Sequence, residues 1–169
     1  MIKVMMLIAP LAILVFGCSV PMTPEEYRKA AKSGNARSTY ESFEVNRPQS
    51  EVAATLKEKA AECLDYEIGS TKRPVVRIGS STHYYGVTKQ TVLKSKNKVE
   101  LYFQVKYDNS TNHEPEGGSY HLVADAYAVG KTKTRVAIYR KTKVTVLGQA
   151  IRGWATGEDL GCPDPAQYL

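Results

Sequence analysis

Apolar and polar residues alternate most regularly in the segment Lys98–Tyr107, where every second position is apolar. Strict alternation is typical of a strand with one buried and one solvated face. The apolar positions are Val99, Leu101, Phe103, Val105 and Tyr107. The pattern therefore predicts a strand here, paired in a hairpin with residues 84–95 across Lys96 and Asn97.

A second hairpin is predicted from residues 119–129 and 132–141, which meet at Gly130 and Lys131. Alternate residues of its first arm are expected to face the core, and these are Tyr120, Leu122, Ala124 and Ala126. Three further strands are predicted at residues 39–46, 65–70 and 73–79. The sheet should therefore be antiparallel, because its longer strands follow one another in hairpins.

Two segments have the apolar spacing of amphipathic helices. In residues 49–64 the apolar stripe consists of Val52, Leu56, Ala60, Cys63 and Leu64, and in residues 143–156 it consists of Val144, Leu147, Ile151 and Trp154. The element order predicts an α+β fold, with an antiparallel sheet of about five to six strands and two helices on one face. This order resembles the helix-grip arrangement.

A shorter helix is predicted to begin after Thr23, because Pro24 suits a first helical position and Glu26 completes a capping box. Tyr27, Ala30 and Ala31 would share one face. So short a helix is marginal on its own. We therefore expect residues 18–38 to form a weakly ordered linker that precedes a single domain at residues 39–169.

The start of the chain combines Lys3, an apolar run and a small residue before a cysteine. These features describe a bacterial export signal. Val15-Phe16-Gly17-Cys18 resembles the lipobox of bacterial lipoproteins. The resemblance implies that residues 1–17 are a signal peptide, that Cys18 is lipidated and becomes the first mature residue, and that acyl chains such as palmitate hold it in a membrane.

Two other interpretations of this segment stay open. A retained transmembrane anchor needs about 20 apolar residues, whereas the apolar character here breaks after about 14. An ordinary cleaved signal would release a soluble protein, but it would leave the position of Cys18 as coincidence. Ser19, rather than an aspartate, favours the outer membrane by analogy with lipoprotein sorting, with the domain on the periplasmic face.

If Cys18 is lipidated, Cys63 and Cys162 are the two cysteines that remain. An exported protein works in an oxidising compartment, so we predict a disulfide between them. The bridge would join the end of helix 49–64 to the C-terminal tail. Neither cysteine belongs to a CxxC motif or to a set with metal-ligand spacing, so we expect no redox thiol and no metal site.

The formal net charge of +6 comes from basic residues scattered along the chain. They could attract anionic lipid head groups, but the favoured interpretation is a solvated surface whose net charge keeps the protein soluble. Nucleic acid is not expected as a partner of an exported protein.

Recognisable catalytic motifs such as HExxH, GxSxG and the P-loop are absent from the sequence. His121 and Asp125 are predicted on one strand face, but four residues along a strand separate them too far for a direct pair. We therefore expect no enzyme activity and no cofactor.

The polar face of the predicted sheet is the best candidate for binding. Tyrosines among charges suit contacts with proteins or glycans. The candidate residues are Tyr102, Gln104, His121, Asp125, Tyr127, Arg135 and Tyr139. Cross-strand pairing that stabilises the sheet is the other interpretation of this face. The sequence thus favours a lipid-anchored, non-catalytic envelope protein that binds a protein partner, with a small-ligand or lipid carrier as the alternative.

Overall fold

The computed structural model describes residues 20–34, 37–65, 67–68, 86–94, 97–107 and 113–169. Its centre is one antiparallel sheet with the strand order β1-β6-β5-β4-β3-β2. The elements are α1 (Pro24–Lys32), β1 (Ser38–Val45), α2 (Gln49–Cys63), β2 (Glu67–Ile68), β3 (Gly86–Lys94), β4 (Lys98–Tyr107), β5 (Ser119–Val129), β6 (Lys133–Lys141) and α3 (Thr145–Thr156). The α+β class and the antiparallel sheet predicted from the sequence are confirmed.

The main core lies between one face of the sheet and the helices α2 and α3. Both helices contribute the apolar stripes predicted from their spacing, and Trp154 and Leu56 are almost fully enclosed. The inward strand residues are Val99, Leu101, Phe103, Val105, Leu122, Ala124, Ala126, Val136 and Ile138. Burying this continuous apolar surface supplies most of the driving force for folding.

The opposite face of the sheet is covered by α1. The sheet residues that α1 helps to bury are Tyr102, Tyr120, Val123, Ala137 and Tyr139, and we call this surface the α1 face. Tyr27 and Ala31 of the helix pack into it. The segment expected to be a weakly ordered linker at residues 18–38 thus contains a helix that belongs to the folded domain.

Local sequence signals explain how α1 begins. The Thr23 hydroxyl accepts a hydrogen bond from the backbone N–H of Glu26 at 3.2 Å. The Glu26 carboxylate in turn accepts from the backbone N–H groups of Thr23 and Met22, at 3.3 and 2.8 Å. The predicted capping box is confirmed. Tertiary contacts supply the remaining stability, which a nine-residue helix lacks in isolation.

Most predicted elements agree with the structure to within a few residues. The strands of both hairpins pair antiparallel, β3 with β4 and β5 with β6. A 3₁₀ turn at Thr142–Val144 occupies the predicted start of the last helix, so α3 itself begins at Thr145. Gly157 ends α3 in the left-handed conformation, at φ 92°, as its C-cap role requires. The predicted strand at 73–79 lies outside the described residues.

A β-bulge in β5 corrects one predicted strand face. Phe103 pairs with Leu122 but Gln104 pairs with Tyr120, so His121 is an extra residue in the ladder. An extra residue reverses the alternation of side chains beyond it. Tyr120 therefore lies on the α1 face and not in the main core, where it was predicted, whereas Leu122, Ala124 and Ala126 face the core as expected.

The predicted disulfide between Cys63 and Cys162 is confirmed, with a Cα–Cα distance of 5.0 Å. It joins the last residue of α2 to the segment after α3. The tail returns to the core through Tyr168 and Leu169, both buried. Leu160 lies against Gly153 of α3, where an added Cβ would stand 2.2 Å from the leucine side chain. Glycine at this position lets the tail pack directly on the helix.

Candidate binding face

The residues predicted to form a solvated binding face are mostly buried. Four of them, Tyr102, Gln104, Asp125 and Tyr139, are between 0 and 8% exposed. Tyr127 is half-buried, and of the predicted set only Arg135 is exposed. The prediction of a solvated face is therefore corrected, and the physical reason is that α1 lies across it.

His121 does not belong to this face. Because of the bulge, its ring points toward the main core, where it meets the edge of Phe103 with the ring centroids 6.4 Å apart. Its backbone carbonyl accepts a hydrogen bond of 2.9 Å from the Tyr27 hydroxyl. His121 is thus separated from Asp125, with which it was predicted to share a strand face.

Arg28 organises the charged part of the α1 face. Its guanidinium makes a bidentate pair with Asp125, with Nε 2.8 Å and a terminal nitrogen 2.7 Å from the two carboxylate oxygens. The same guanidinium reaches Glu100, whose carboxylate also accepts from Lys98 at 2.7 Å. The Tyr127 hydroxyl donates to Asp125 at 3.0 Å. Asp125 is fully buried, so its charge depends on these partners.

Hydrogen bonds and charges within this cluster shift the pKa values of its members. Burial opposes the charged form of Arg28, but the hydrogen bond and charge of Asp125 outweigh it and raise the pKa of Arg28 above its usual range. Burial also opposes the charged form of Glu100, yet hydrogen bonds from Lys98 and Tyr102 leave its pKa lowered. Burial raises the pKa of Tyr102 to about 12. At neutral pH, Arg28 and Glu100 are therefore charged and Tyr102 is protonated.

Aromatic rings surround the ion cluster. Tyr27 of α1 packs against Tyr120 with the ring centroids 5.9 Å apart, and Tyr120 meets the edge of Tyr102 at 6.1 Å. At the other end of the helix, the Lys32 ammonium lies over the rings of Tyr40 and Tyr139, 5.2 and 5.6 Å from their centroids. These ring and cation–π contacts hold both ends of α1 on the sheet.

The His121 ring is a second buried ionisable group, on the core side of the sheet. Nδ1 is buried and has no hydrogen-bond partner in the described part of the chain. Burial, with the charges of Lys141 and Lys143, holds the pKa of His121 well below its usual range. Burial likewise lowers the pKa of Lys141 to about 8. His121 is therefore neutral at physiological pH.

The described residues bring together one group with the atoms for metal binding, namely Glu62, Cys63 and Cys162, whose ligand atoms lie within 4.8 Å of one another. The two sulfurs are bonded to each other, so neither is a thiolate that could bind a metal. Asp125, the carboxylate that was predicted on one strand face with His121, is occupied by Arg28 and Tyr127. This geometry offers no nucleophile–base pair at these positions.

Sequence reasoning missed Arg28, which is the centre of the cluster. The apolar residues of its helix were recognised, and Tyr27 and Ala31 pack as their spacing predicts. In the local sequence, nothing distinguishes Arg28 from the other charged residues of this short helix. The available signal was Asp125, a carboxylate in the middle of an otherwise apolar strand, which requires a cationic partner if the strand is buried on both faces.

Cys18 and its lipobox-like segment lie outside the described residues. Within the described ranges, none of the helices has both the length and the apolar character needed to cross a bilayer.

Comparison with known protein families gives no match, and comparison with curated proteins by sequence gives none either. Among solved structures, the chain is similar to norcoclaurine synthase from Thalictrum flavum, determined in complex with dopamine and hydroxybenzaldehyde. The identity is 12% and the TM-score 0.31, over 71% of this chain and 83% of that chain. A likeness at that TM-score carries no argument about function.

Proposed function

We propose that this protein is a lipid-anchored protein of the bacterial envelope, held in the outer membrane by Cys18 with its domain on the periplasmic side. The observation that carries the proposal is Val15-Phe16-Gly17-Cys18, which has the order of residues at a lipoprotein cleavage site. The Cys63–Cys162 disulfide supports it, because such bridges persist in oxidising compartments outside the cytoplasm.

The domain acts in this proposal as a non-catalytic module that binds a protein partner or has a structural role. Its arrangement is helix-grip-like, with the C-terminal helix α3 packed across an antiparallel sheet. The buried carboxylate Asp125 and the buried ring of His121 are each enclosed by packing on opposite sides of β5. Groups that are enclosed in this way are out of reach of a substrate in solution, which supports a non-catalytic role.

Replacement of the anchoring cysteine tests the proposal directly. Cys18→Ser should abolish incorporation of labelled palmitate, block cleavage before residue 18 and leave a precursor of higher mass. Ser19→Thr, which keeps the cysteine and the residues before it, serves as the matched control and should mature normally. A Cys18→Ser protein that still takes up palmitate and reaches the mature mass would contradict the lipoprotein assignment.

A further inference from the structure

The chain between Cys18 and the folded domain is very short. Val20 and Pro21 are half-buried, and the backbone N–H of Met22 donates to the Glu26 carboxylate at 2.8 Å. Two residue steps separate Cys18 from Val20, and two steps span at most about 7 Å. A lipid attached to Cys18 would therefore hold Val20, and with it the start of α1, close to the membrane surface.

The direction of α1 shows where on that side the chain enters. At the middle of the helix, Arg28 contacts Glu100 and Asp125, which lie on β4 and β5. At its end, Lys32 lies over Tyr40 and Tyr139 of β1 and β6. The helix therefore crosses the strands, and its N-terminus lies over the β4–β5 half of the α1 face.

The outer surface on the α1 side carries residue types that are common where a membrane meets water. Among the described residues, three large apolar side chains are exposed, and two of them, Met22 and Tyr40, flank α1 at 42 and 44% exposure. Lys29 and Lys32 are exposed as well, Lys32 with its ammonium over the ring of Tyr40. Tyrosine and lysine are residue types that anchor proteins at membrane interfaces. The first two carboxylates that follow Cys18 in the sequence already have partners. Glu25 pairs with Arg28, and Glu26 accepts hydrogen bonds in the capping box.

We propose that α1 and the exposed residues beside it form the membrane-facing surface of the domain, which is held flat against the lipid by the short connection to Cys18. This inference rests on the proposed lipidation of Cys18. It assigns α1 the role of an orienting element: the ion cluster of Arg28 fixes the helix on the sheet, and the sheet then turns α2 and α3 away from the bilayer toward the envelope partner.

Spin labels on the two sides of the sheet test this orientation. Lys29 on α1 and Lys57 on α2 are both exposed helical lysines, and they lie on opposite faces of the sheet. The separation across the sheet is roughly 20 Å, about two helix diameters. Lys29→Cys and Lys57→Cys would each be labelled in the full lipidated protein, reconstituted in vesicles that contain a nickel-chelating lipid.

The relaxation caused by the nickel lipid should be several-fold stronger for the label at position 29 than for the label at position 57. A soluble nickel chelate should relax both labels of the detergent-dissolved protein to a similar extent. Insertion of ten Gly and Ser residues between Ser19 and Val20 should remove the difference, because a flexible linker of that length lets the domain tumble roughly 17 Å from the surface.

Flotation with the vesicles distinguishes failure of the proposed orientation from failure of the proposed lipid anchor. Protein that floats but shows equal relaxation at both positions, or stronger relaxation at position 57, overturns the orientation and leaves the anchor intact. Protein that carries no acyl chain and does not float overturns the lipid anchor, and the orientation with it.

Discussion

His121 is the residue at which the strand pattern and the structure differ most. The bulge turns its ring from the α1 face into the main core, where Nδ1 has no hydrogen-bond partner among the described residues. Protonation would place a charge in an apolar site beside Lys141 and Lys143. The neutral ring is therefore a condition for the native packing, and acid should act on the fold through this residue.

We expect the free energy of unfolding to fall as the pH decreases below about 6.5, the ordinary pKa that His121 regains in the unfolded chain. Its pKa is lower in the folded protein, so the unfolded state binds the proton first and is favoured by acid. For one such group, the slope approaches about 1.4 kcal/mol per pH unit. Urea denaturation across this range measures it.

His121→Leu should reduce this slope by up to about 1.4 kcal/mol per pH unit, the contribution of one proton. Carboxylates elsewhere in the protein still contribute to the slope, but the buried imidazole no longer does. His113→Leu is the matched control, since His113 is exposed and should leave the slope unchanged. Identical slopes for the two variants would contradict the assignment of the acid sensitivity to His121.

At the scale of elements, α1 is attached to the sheet by one buried ion cluster and a small aromatic patch. Asp125 is fully buried and pairs with the guanidinium of Arg28. Glu100, which is 14% exposed, pairs with both Arg28 and Lys98. A buried carboxylate that loses its cation costs far more than the pair itself contributes. Arg28 should therefore be much more sensitive to substitution than an arginine in an exposed pair.

Arg28→Met should destabilise the protein by about 3 kcal/mol, because it keeps the apolar stem but leaves the buried carboxylate of Asp125 without its cation. Arg135→Met removes the pair with Glu44, in which both side chains are about half exposed. That variant should cost less than about 1 kcal/mol. Denaturant titrations of both variants provide the comparison, and equal losses would show that the cluster does not fix α1.

The sequence predicted the strands and the helices far better than it predicted the α1 face. The alternation in β4 and the stripes of α2 and α3 are local, so they can be read without knowledge of the fold. Burial of Asp125 depends on Arg28, which is 97 residues away along the chain. No local pattern contains such a pairing, and the extra residue at His121 leaves no mark in the spacing of apolar residues.

At the scale of the whole molecule, the Cys63–Cys162 bridge closes a long loop. The two cysteines are separated by 99 positions, and all strands except β1 lie between them. A cross-link over such a distance removes much of the conformational freedom of the unfolded chain. The bridge should therefore stabilise the protein as a whole more than it stabilises the two segments it joins.

Reduction of the bridge should lower the free energy of unfolding by about 2–5 kcal/mol, a range that includes the chain-entropy value for a loop of this length. The Cys63→Ser, Cys162→Ser double variant should show a similar loss while its far-ultraviolet circular dichroism stays native. Thiol titration of the unfolded, unreduced protein checks the premise. Two reactive thiols, beyond any contributed by Cys18, would show that the bridge does not form in the cell.

The position of α1 outside this closed loop has a mechanical consequence. A force that pulls the chain from upstream of Val20 acts first on α1, then on β1, which is an edge strand and pairs with β6 alone. Peeling the helix and the turn after it would lengthen the tether by roughly 30 Å, from helical to extended chain. The strands from β2 to β6 and helix α3 lie between the two cysteines, so the force would extend their chain only after α1, β1 and α2 had come away. The domain would therefore lengthen in steps before its disulfide-closed part unfolds.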